Sequence, residues 1–457
     1  MTRKLFGTDG VRGVAGELLS AELALGLAQA ATRLTQAERP RVLIVRDTRE
    51  SGEMLQAAVA AGVAAAGGEA LLGGVLPTPA APLLIAQYGF DLAAVLSASH
   101  NPYQDNGIKF FGADGYKLSD DTELEIEREL KRATGQGGTS ASGSALPGHA
   151  GGVGSPPRIG RIRELRGAGE DYLRELHTRF AESDLTGLDV LLDCANGATH
   201  EVAPEIFRRL GANVTAVADG PDGRNINAEC GSTHVERLAE LVVAGGHALG
   251  FAFDGDGDRV LAVDGAGAVV DGDELMALAA LHLRDTGRLR GDGVVVTVMT
   301  NYGFHTAMAQ AGIEVASTKV GDRYVLEELL ARGWMLGGEQ SGHLIELGFN
   351  RTGDGIAGAL LMLEALAGAD LRERHAMAKL PQRLVNVRVS DREALQGSEA
   401  VTTAIRAEDE ALSGRGRVLV RASGTEPLVR VMVEAPTEQE AQEVCDRLVG
   451  LVQRELA

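Results

Sequence analysis

Three aspartates at alternate positions, Asp254, Asp256 and Asp258, are spaced by single glycines and followed by Arg259. They come directly after the apolar run from Leu249 to Phe253. In extended chain, alternate side chains share a face, and the glycines let the backbone curl, so three carboxylates can converge on one hard cation. Arg259 adds a fixed positive charge at the rim. A divalent cation beside a guanidinium suits a phosphate, so phosphoryl chemistry is the leading expectation. An EF-hand begins with the same aspartate spacing but needs glycine sixth and glutamate twelfth, where this chain has Arg259 and Gly265. The competing chemistry is a phosphatase in which Asp254 attacks phosphorus. An acidic surface turn leaves unexplained what would hold three repelling carboxylates together.

The second signal is Ser97-Ala98-Ser99-His100-Asn101-Pro102, which follows the apolar run from Leu92 to Leu96. A serine at a strand end, before an Asn-Pro turn, suits covalent phosphoryl or acyl transfer, with Ser97 and Ser99 equally eligible. Neither serine sits in the Gly-x-Ser-x-Gly elbow of a serine hydrolase. Lys109 lies inside an apolar strand, either paired with an anion or snorkelling from a sheet edge. Gly7 to Gly13 forms a polar opening with one cation, Arg12, suited to anion contact. Residues 337–343 offer Glu339, Ser341 and His343 on a glycine-hinged loop that fits sugar hydroxyls. Arg421, Ser423, Gly424 and Thr425, with Arg430 beyond, combine guanidinium, hydroxyl and amide donors for a phosphate. The G-x-G-x-x-G match at 353–358 lacks a preceding buried strand, so it reads as a helix start capped near Asp354, not a dinucleotide site.

At 457 residues the chain has material for about three or four domains. An apolar fraction of 44% and a charged fraction of 24% are ordinary for a globular enzyme. The formal net charge of −20 argues against a nucleic-acid or anionic-membrane surface, so an anionic substrate must be captured by local clusters. Cys194, Cys230 and Cys445 are too few and scattered for a disulfide framework and read as buried or idle thiols. No run approaches the ~20 apolar residues of a membrane span, and no apolar segment follows the basic start. A cytoplasmic location is therefore expected.

Helical and strand patterns alternate through most of the chain, which predicts parallel, doubly wound sheets with loops at strand ends. A Gly/Ser/Ala/Pro-rich stretch at 135–157 reads as a linker. The expected division is an α/β domain at 1–157 carrying the serine loop and a second at 158–252 leading into the acidic loop. A third α/β domain follows at 253–370, and a small α+β domain at 371–457 carries the phosphate grip. Ligands of open α/β sheets bind at strand ends, so these loops are expected to meet in one central cleft.

The ordered set GTDGVRG, SASHNP, DGDGDR, GEQSGH and RASGTEP resembles the α-D-phosphohexomutase family over nearly the whole chain. The stretch at 135–157 departs from the compact linker usual in that family. The resemblance implies four domains around a central cleft, with Ser99, the serine directly before His-Asn-Pro, as the phosphoserine. It implies Mg²⁺ held by Asp254, Asp256, Asp258 and the phosphoserine, and Arg259 on the phosphate. Glu339 and Ser341 would hold sugar hydroxyls, while Arg421 to Thr425 and Arg430 would grip the phosphate that is not transferred. Arg12, His100, Lys109 and His343 are further cleft residues. The implied reaction interconverts glucosamine 6-phosphate and glucosamine 1-phosphate, for UDP-N-acetylglucosamine and cell-wall precursors. A hexosamine 1,6-bisphosphate or glucose 1,6-bisphosphate would serve as activator. Mannose or glucose phosphates are the alternative substrates within the family. The partner expected is a phosphorylated hexosamine, without nucleic acid or membrane; the residues do not fix the oligomeric state, a homodimer being one option.

Overall fold

A computed structural model describes residues 5–133, 158–391, 394–422 and 428–456. The linker expected at 135–157 and the grip residues Ser423, Gly424 and Thr425 lie outside the described residues. The chain divides into two compact units: Met1–Val298 with Ala316–Arg374, and Met299–Val315 with His375–Ala457.

The first unit holds the three α/β rounds. Its first sheet runs in the order Val11–Val14, Asp105–Gly112, Leu92–Leu96, Arg41–Arg46, Glu69–Val75, Arg161–Glu164. The last four strands are parallel, as the alternating pattern predicts, and helices such as Ala21–Leu34 and Ser51–Ala65 supply the crossovers. The sheet is not wholly parallel, however. Asp105–Gly112 lies antiparallel to both Leu92–Leu96 and Val11–Val14. The reason is length: a parallel return needs a crossover of about a dozen residues or more, and the short Asn-Pro turn permits only a reversal.

The same reversal recurs in the other two rounds. Val260–Asp264 turns back beside Leu249–Phe253 across the acidic loop, and Leu344–Glu346 turns back beside Leu336–Gly338. Each chemistry-bearing loop of this unit therefore sits at the tip of two antiparallel strands, where backbone pairing on both sides fixes its ends. The polar opening is likewise paired: Arg12 stands in the edge strand Val11–Val14, opposite Gly107.

Helix starts are set by side chains that the sequence exposes. Ser20, Asp271 and Asp354 accept from backbone amides at the starts of Ala21–Leu34, Gly272–Asp285 and Gly355–Leu366. Asp354 thus caps a helix at the G-x-G-x-x-G match, as read from sequence. Cys194, Cys230 and Cys445 are free and buried.

The second unit is an antiparallel sheet, Gln382–Arg388, Leu428–Glu434, Arg417–Ala422, packed on helices Glu399–Leu412 and Glu438–Leu456. Its core is the alternating Val429, Val431 and Val433 against Val401, Cys445, Leu448 and Val452. In sequence the helix Tyr302–Gln310 belongs to the third round. Its N-terminus is nonetheless held by buried Glu434, which accepts from Tyr302 N at 2.9 Å and from Arg417 Nε at 2.8 Å.

Candidate active site

Ser99 is buried, with φ 52°, the left-handed region that non-glycine residues seldom occupy. Its hydroxyl donates to Asp254 Oδ2, and His100 Nδ1 lies 3.3 Å from Ser99 Oγ. Ser97 has a different fate: its hydroxyl donates to Asp47 Oδ2 and accepts from Ser99 N at 2.9 Å. The choice that the residue types leave open is thereby narrowed by geometry. Only Ser99 directs its hydroxyl at the acidic loop.

The aspartates converge as their spacing predicts. Oxygens of Asp254, Asp256 and Asp258 lie within 4.8 Å of one another, and all three residues are buried. Burial, and then the charges of Asp258 and Asp256, raise the Asp254 pKa well above the ordinary carboxylate value. Asp258 is instead held well below that value: its burial is outweighed by His343 and Lys109. Asp256 Oδ1 and Asp258 Oδ1 are also buried without a hydrogen-bond partner. A hard divalent cation fits both the crowding of Asp254 by its neighbours and these orphaned oxygens, since it accepts oxygen ligands and offsets carboxylate repulsion. Gly255 allows the approach, because a Cβ there would stand 2.5 Å from Ser99 O and 2.8 Å from Asn227 Nδ2. Gly257 takes φ 71° at the tip of the turn.

Cations surround this centre. Lys109 is buried on an interior strand, which removes the snorkelling alternative. Its Nζ lies 2.9 Å from Asp256 Oδ2, 3.0 Å from Asp9 Oδ2 and 3.7 Å from Asp258 Oδ2. Burial alone would lower its pKa, but Asp256, Asp9 and Asp258 outweigh it and keep the amine charged. Arg12 pairs with Asp9, and the Nε atoms of Arg12 and Arg259 are buried without hydrogen-bond partners, that of Arg259 lying 3.8 Å from Asp258 Oδ1. His100 is kept below the usual imidazole range by burial, then by Arg259 and Arg12. Beyond Lys109 the charges alternate through Asp9, Lys117 and Asp322.

The third loop reaches the same centre. His343 is buried, with Nδ1 3.6 Å from Asp258 Oδ1, while Nε2 accepts from Gly353 N at 3.1 Å. It thus abuts the acidic loop. Glu339 is buried and accepts from Gly321 N at 2.9 Å, whereas Ser341 is exposed. In the second unit, Arg421 and Arg430 face each other directly across the antiparallel pair. Burial, then Arg430, lowers the Arg421 pKa, and Arg430 Nε is buried without a partner. Opposed like charges destabilise a sheet, and no carboxylate is paired with either guanidinium among the described residues.

Several contacts at the centre involve residues that the motif reading passes over. Thr78 Oγ1 donates to Asp256 Oδ2 at 2.6 Å. Asn227 Nδ2 donates to Ser99 O at 2.9 Å and to Asn101 O at 3.0 Å. Asp47 and Arg49 pack beneath the serine loop. A signal for the last two was present: Asp47-Thr48-Arg49 is a polar triplet immediately after a buried strand, the pattern shared by the other loops.

Comparison with known proteins agrees with this layout. Four family models match in order: phosphoglucomutase/phosphomannomutase α/β/α domain I at residues 3–136, domain II at 170–267, domain III at 271–384, and the C-terminal domain at 384–451. The chain is 51% identical over 446 residues to a phosphoglucosamine mutase of Moorella thermoacetica, covering 96% of this chain and 97% of that one. A phosphoglucosamine mutase of Rhodococcus jostii is 48% identical, with 98% and 99% covered. Among solved structures, a phosphoglucomutase/phosphomannomutase family protein of Burkholderia thailandensis superposes with TM-score 0.80 at 22% identity, covering 100% and 99%. An Aspergillus fumigatus N-acetylphosphoglucosamine mutase, solved with GlcNAc-6P and magnesium, gives TM-score 0.68 at 18% identity, covering 99% and 96%. With all four domain models matched in sequence order, the chain belongs to the α-D-phosphohexomutase family.

Proposed function

We propose that this enzyme interconverts glucosamine 6-phosphate and glucosamine 1-phosphate, with Ser99 as the phosphoryl carrier and a 1,6-bisphosphate as intermediate. The observation that carries the reading is the Ser99 hydroxyl seated on Asp254 inside a buried carboxylate triad. Relatives about half identical over nearly their whole length, all phosphoglucosamine mutases, support the amino sugar over a neutral hexose.

Phosphorylated Ser99 gives its phosphoryl group to one hydroxyl of the hexosamine monophosphate. The new sugar O–P bond forms as the Ser99 Oγ–P bond breaks, and the proton leaving the sugar hydroxyl balances the one that Ser99 regains. Asp254 then receives the Ser99 hydroxyl, the hydrogen bond that the structure displays. After the bisphosphate turns over, Ser99 takes the phosphoryl group from the other end. Arg12, Lys109 and Arg259 supply preorganised positive charge, which costs no reorganisation during transfer. Asp254, Asp256, Asp258 and a phosphoserine oxygen would hold Mg²⁺, whose charge offsets that of the transferring group. Glu339 and Ser341 are assigned to sugar hydroxyls, and His343 to the support of Asp258. A hexosamine or glucose 1,6-bisphosphate would load Ser99 at the outset.

Because the sugar must bind in two orientations, phosphate grip should outweigh sugar contact. Arg421→Ala is therefore expected to raise KM for the sugar phosphate by at least ~10-fold, the scale of one charge-assisted contact, with kcat less affected. A normal KM would move the phosphate grip elsewhere. Sugar choice is tested by comparing kcat/KM for glucosamine, glucose and mannose 6-phosphates. The amino sugar is expected to lead; preference for a neutral hexose would keep the chemistry and change the substrate.

A further inference from the structure

Beneath the serine loop lies a side chain for which the mechanism above has no use. Arg49 is fully buried, yet its charge has one carboxylate partner, Asp47, whose Oδ2 accepts from Arg49 Nε at 2.8 Å. The rest of the guanidinium fork is spent on backbone. Its Nη2 donates to Ser99 O and to Asn101 O, each at 2.9 Å. Its Nη1 donates to Pro102 O and, at 3.0 Å, to Asp105 O. One planar cation thus gathers four carbonyls from a seven-residue turn, residues 99–105. Asp47 completes the device: it accepts from the Ser97 hydroxyl, which in turn accepts from the Ser99 amide at 2.9 Å. The Ser99 amide is therefore tied to the pair through Ser97, and the Ser99 carbonyl is held by Arg49 together with Asn227.

This arrangement solves a specific problem. A serine at φ 52° is in a conformation that costs about 1–2 kcal/mol and persists only when its surroundings over-determine it. The surroundings here do so through hydrogen bonds to the peptide groups on either side, leaving the Ser99 hydroxyl to the acidic loop. Burying a guanidinium at this depth would be costly if the fork were unsatisfied, so four carbonyls and a carboxylate are what make Arg49 tolerable. A lysine has no planar fork and cannot reproduce the set.

We propose that Asp47, Arg49 and Ser97 form a positioning unit that holds Ser99 in its left-handed conformation, aiming its oxygen at the acidic loop for transfer in both directions. The inference rests on Ser99 being the phosphoryl carrier. It assigns Ser97 a role that the motif leaves undefined: Ser97 is the link between the Asp47–Arg49 pair and the nucleophile's own amide. All three residues are buried and bonded to the serine loop, so their loss should misplace Ser99 without weakening the phosphate grip.

The test compares wild type, Arg49→Lys and Ser97→Ala. The measurements are kcat, KM, the rate at which glucose 1,6-bisphosphate phosphorylates Ser99, and the thermal shift caused by Mg²⁺. Misplacement of a reacting group by about 1 Å costs ~10²-fold. Accordingly, kcat and the phosphorylation rate should fall ~10-fold in Ser97→Ala and ~10²-fold in Arg49→Lys. KM should stay within about twofold, and the Mg²⁺ shift should persist, because the acidic loop is anchored by other residues. General damage to the fold would instead move KM, the metal response and kcat together, and that result would overturn the inference. If Arg49→Lys does not fold, Ser97→Ala decides: a folded variant with wild-type kcat rejects the positioning unit. Wild type that never takes phosphate on Ser99 rejects the functional reading and this inference with it. Phosphorylated wild type beside an unimpaired Ser97→Ala rejects the inference alone.

Discussion

Ser99→Ala is expected to lower mutase turnover by ~10⁴-fold or more while the protein stays folded. The size follows from the role: removing a nucleophile removes the covalent route, and what remains is binding and electrostatics. The fold should survive because the Ser99 backbone is held from both sides, by Ser97 and by Arg49 and Asn227. Alanine can occupy the same backbone conformation at a cost of about 1–2 kcal/mol that the native serine already bears in part. The checks are a coupled turnover assay, circular dichroism, and intact mass after bisphosphate treatment. The variant should gain no mass where wild type gains one phosphoryl group. Substantial residual turnover would reject Ser99 as carrier.

Asp254→Asn should lower kcat by at least ~10²-fold and abolish the thermal stabilisation that Mg²⁺ gives wild type. Without metal the expected direction reverses. Burial and two neighbouring carboxylates already oppose the Asp254 charge, so a neutral isostere relieves repulsion. Asparagine still offers an oxygen to accept from Ser99 or Arg259 N, the two donors that Asp254 serves. In EDTA the variant should melt at or above the wild-type temperature; in Mg²⁺ wild type should melt higher. A variant less stable in both conditions would mean that the triad is an ordinary structural network. An unchanged Mg²⁺ response would place the metal elsewhere.

Much of this centre can be read from the sequence because its chemistry is local. Asp254, Asp256 and Asp258 share a short glycine-spaced segment after a buried strand, and that spacing suffices to bring their oxygens together. Asp354 likewise announces its helix, accepting from Ala357 N at 3.0 Å. What the reading misses is non-local. Arg49 works through backbone carbonyls, which carry no residue identity. His343 reads as a sugar contact because its loop is polar and glycine-rich. Its partners in the fold, Asp258 and Gly353, come from other segments and cannot be read from that loop. The capped turn at 353–355 proves to matter for the acidic loop as well, since Gly355 N donates to Gly257 O at 2.9 Å.

The fold shows the same division. Alternating runs identify the α/β rounds, but not the reversals at Ser99, Asp254 and Glu339 that make each sheet mixed. Short connections contain that information, because nothing between Leu96 and Asp105 is long enough for a crossover helix. Helix Asp120–Ala133 escapes the pattern for another reason. Its inward face carries Glu123 and Glu127, which are buried against Arg323 and the amides of Leu5 and Phe6. A helix whose buried stripe is partly acidic leaves only a few apolar residues, such as Ile126 and Leu130, to mark that face.

The most direct test of the central claim is a ³¹P NMR time course with glucosamine 6-phosphate, Mg²⁺ and a catalytic amount of glucose 1,6-bisphosphate. Conversion of the 6-phosphate resonance into that of the 1-phosphate, with inorganic phosphate absent and total ester phosphate constant, is the predicted result. Accumulation of inorganic phosphate without the 1-phosphate would contradict it, and would return Asp254 to the role of a phosphatase nucleophile.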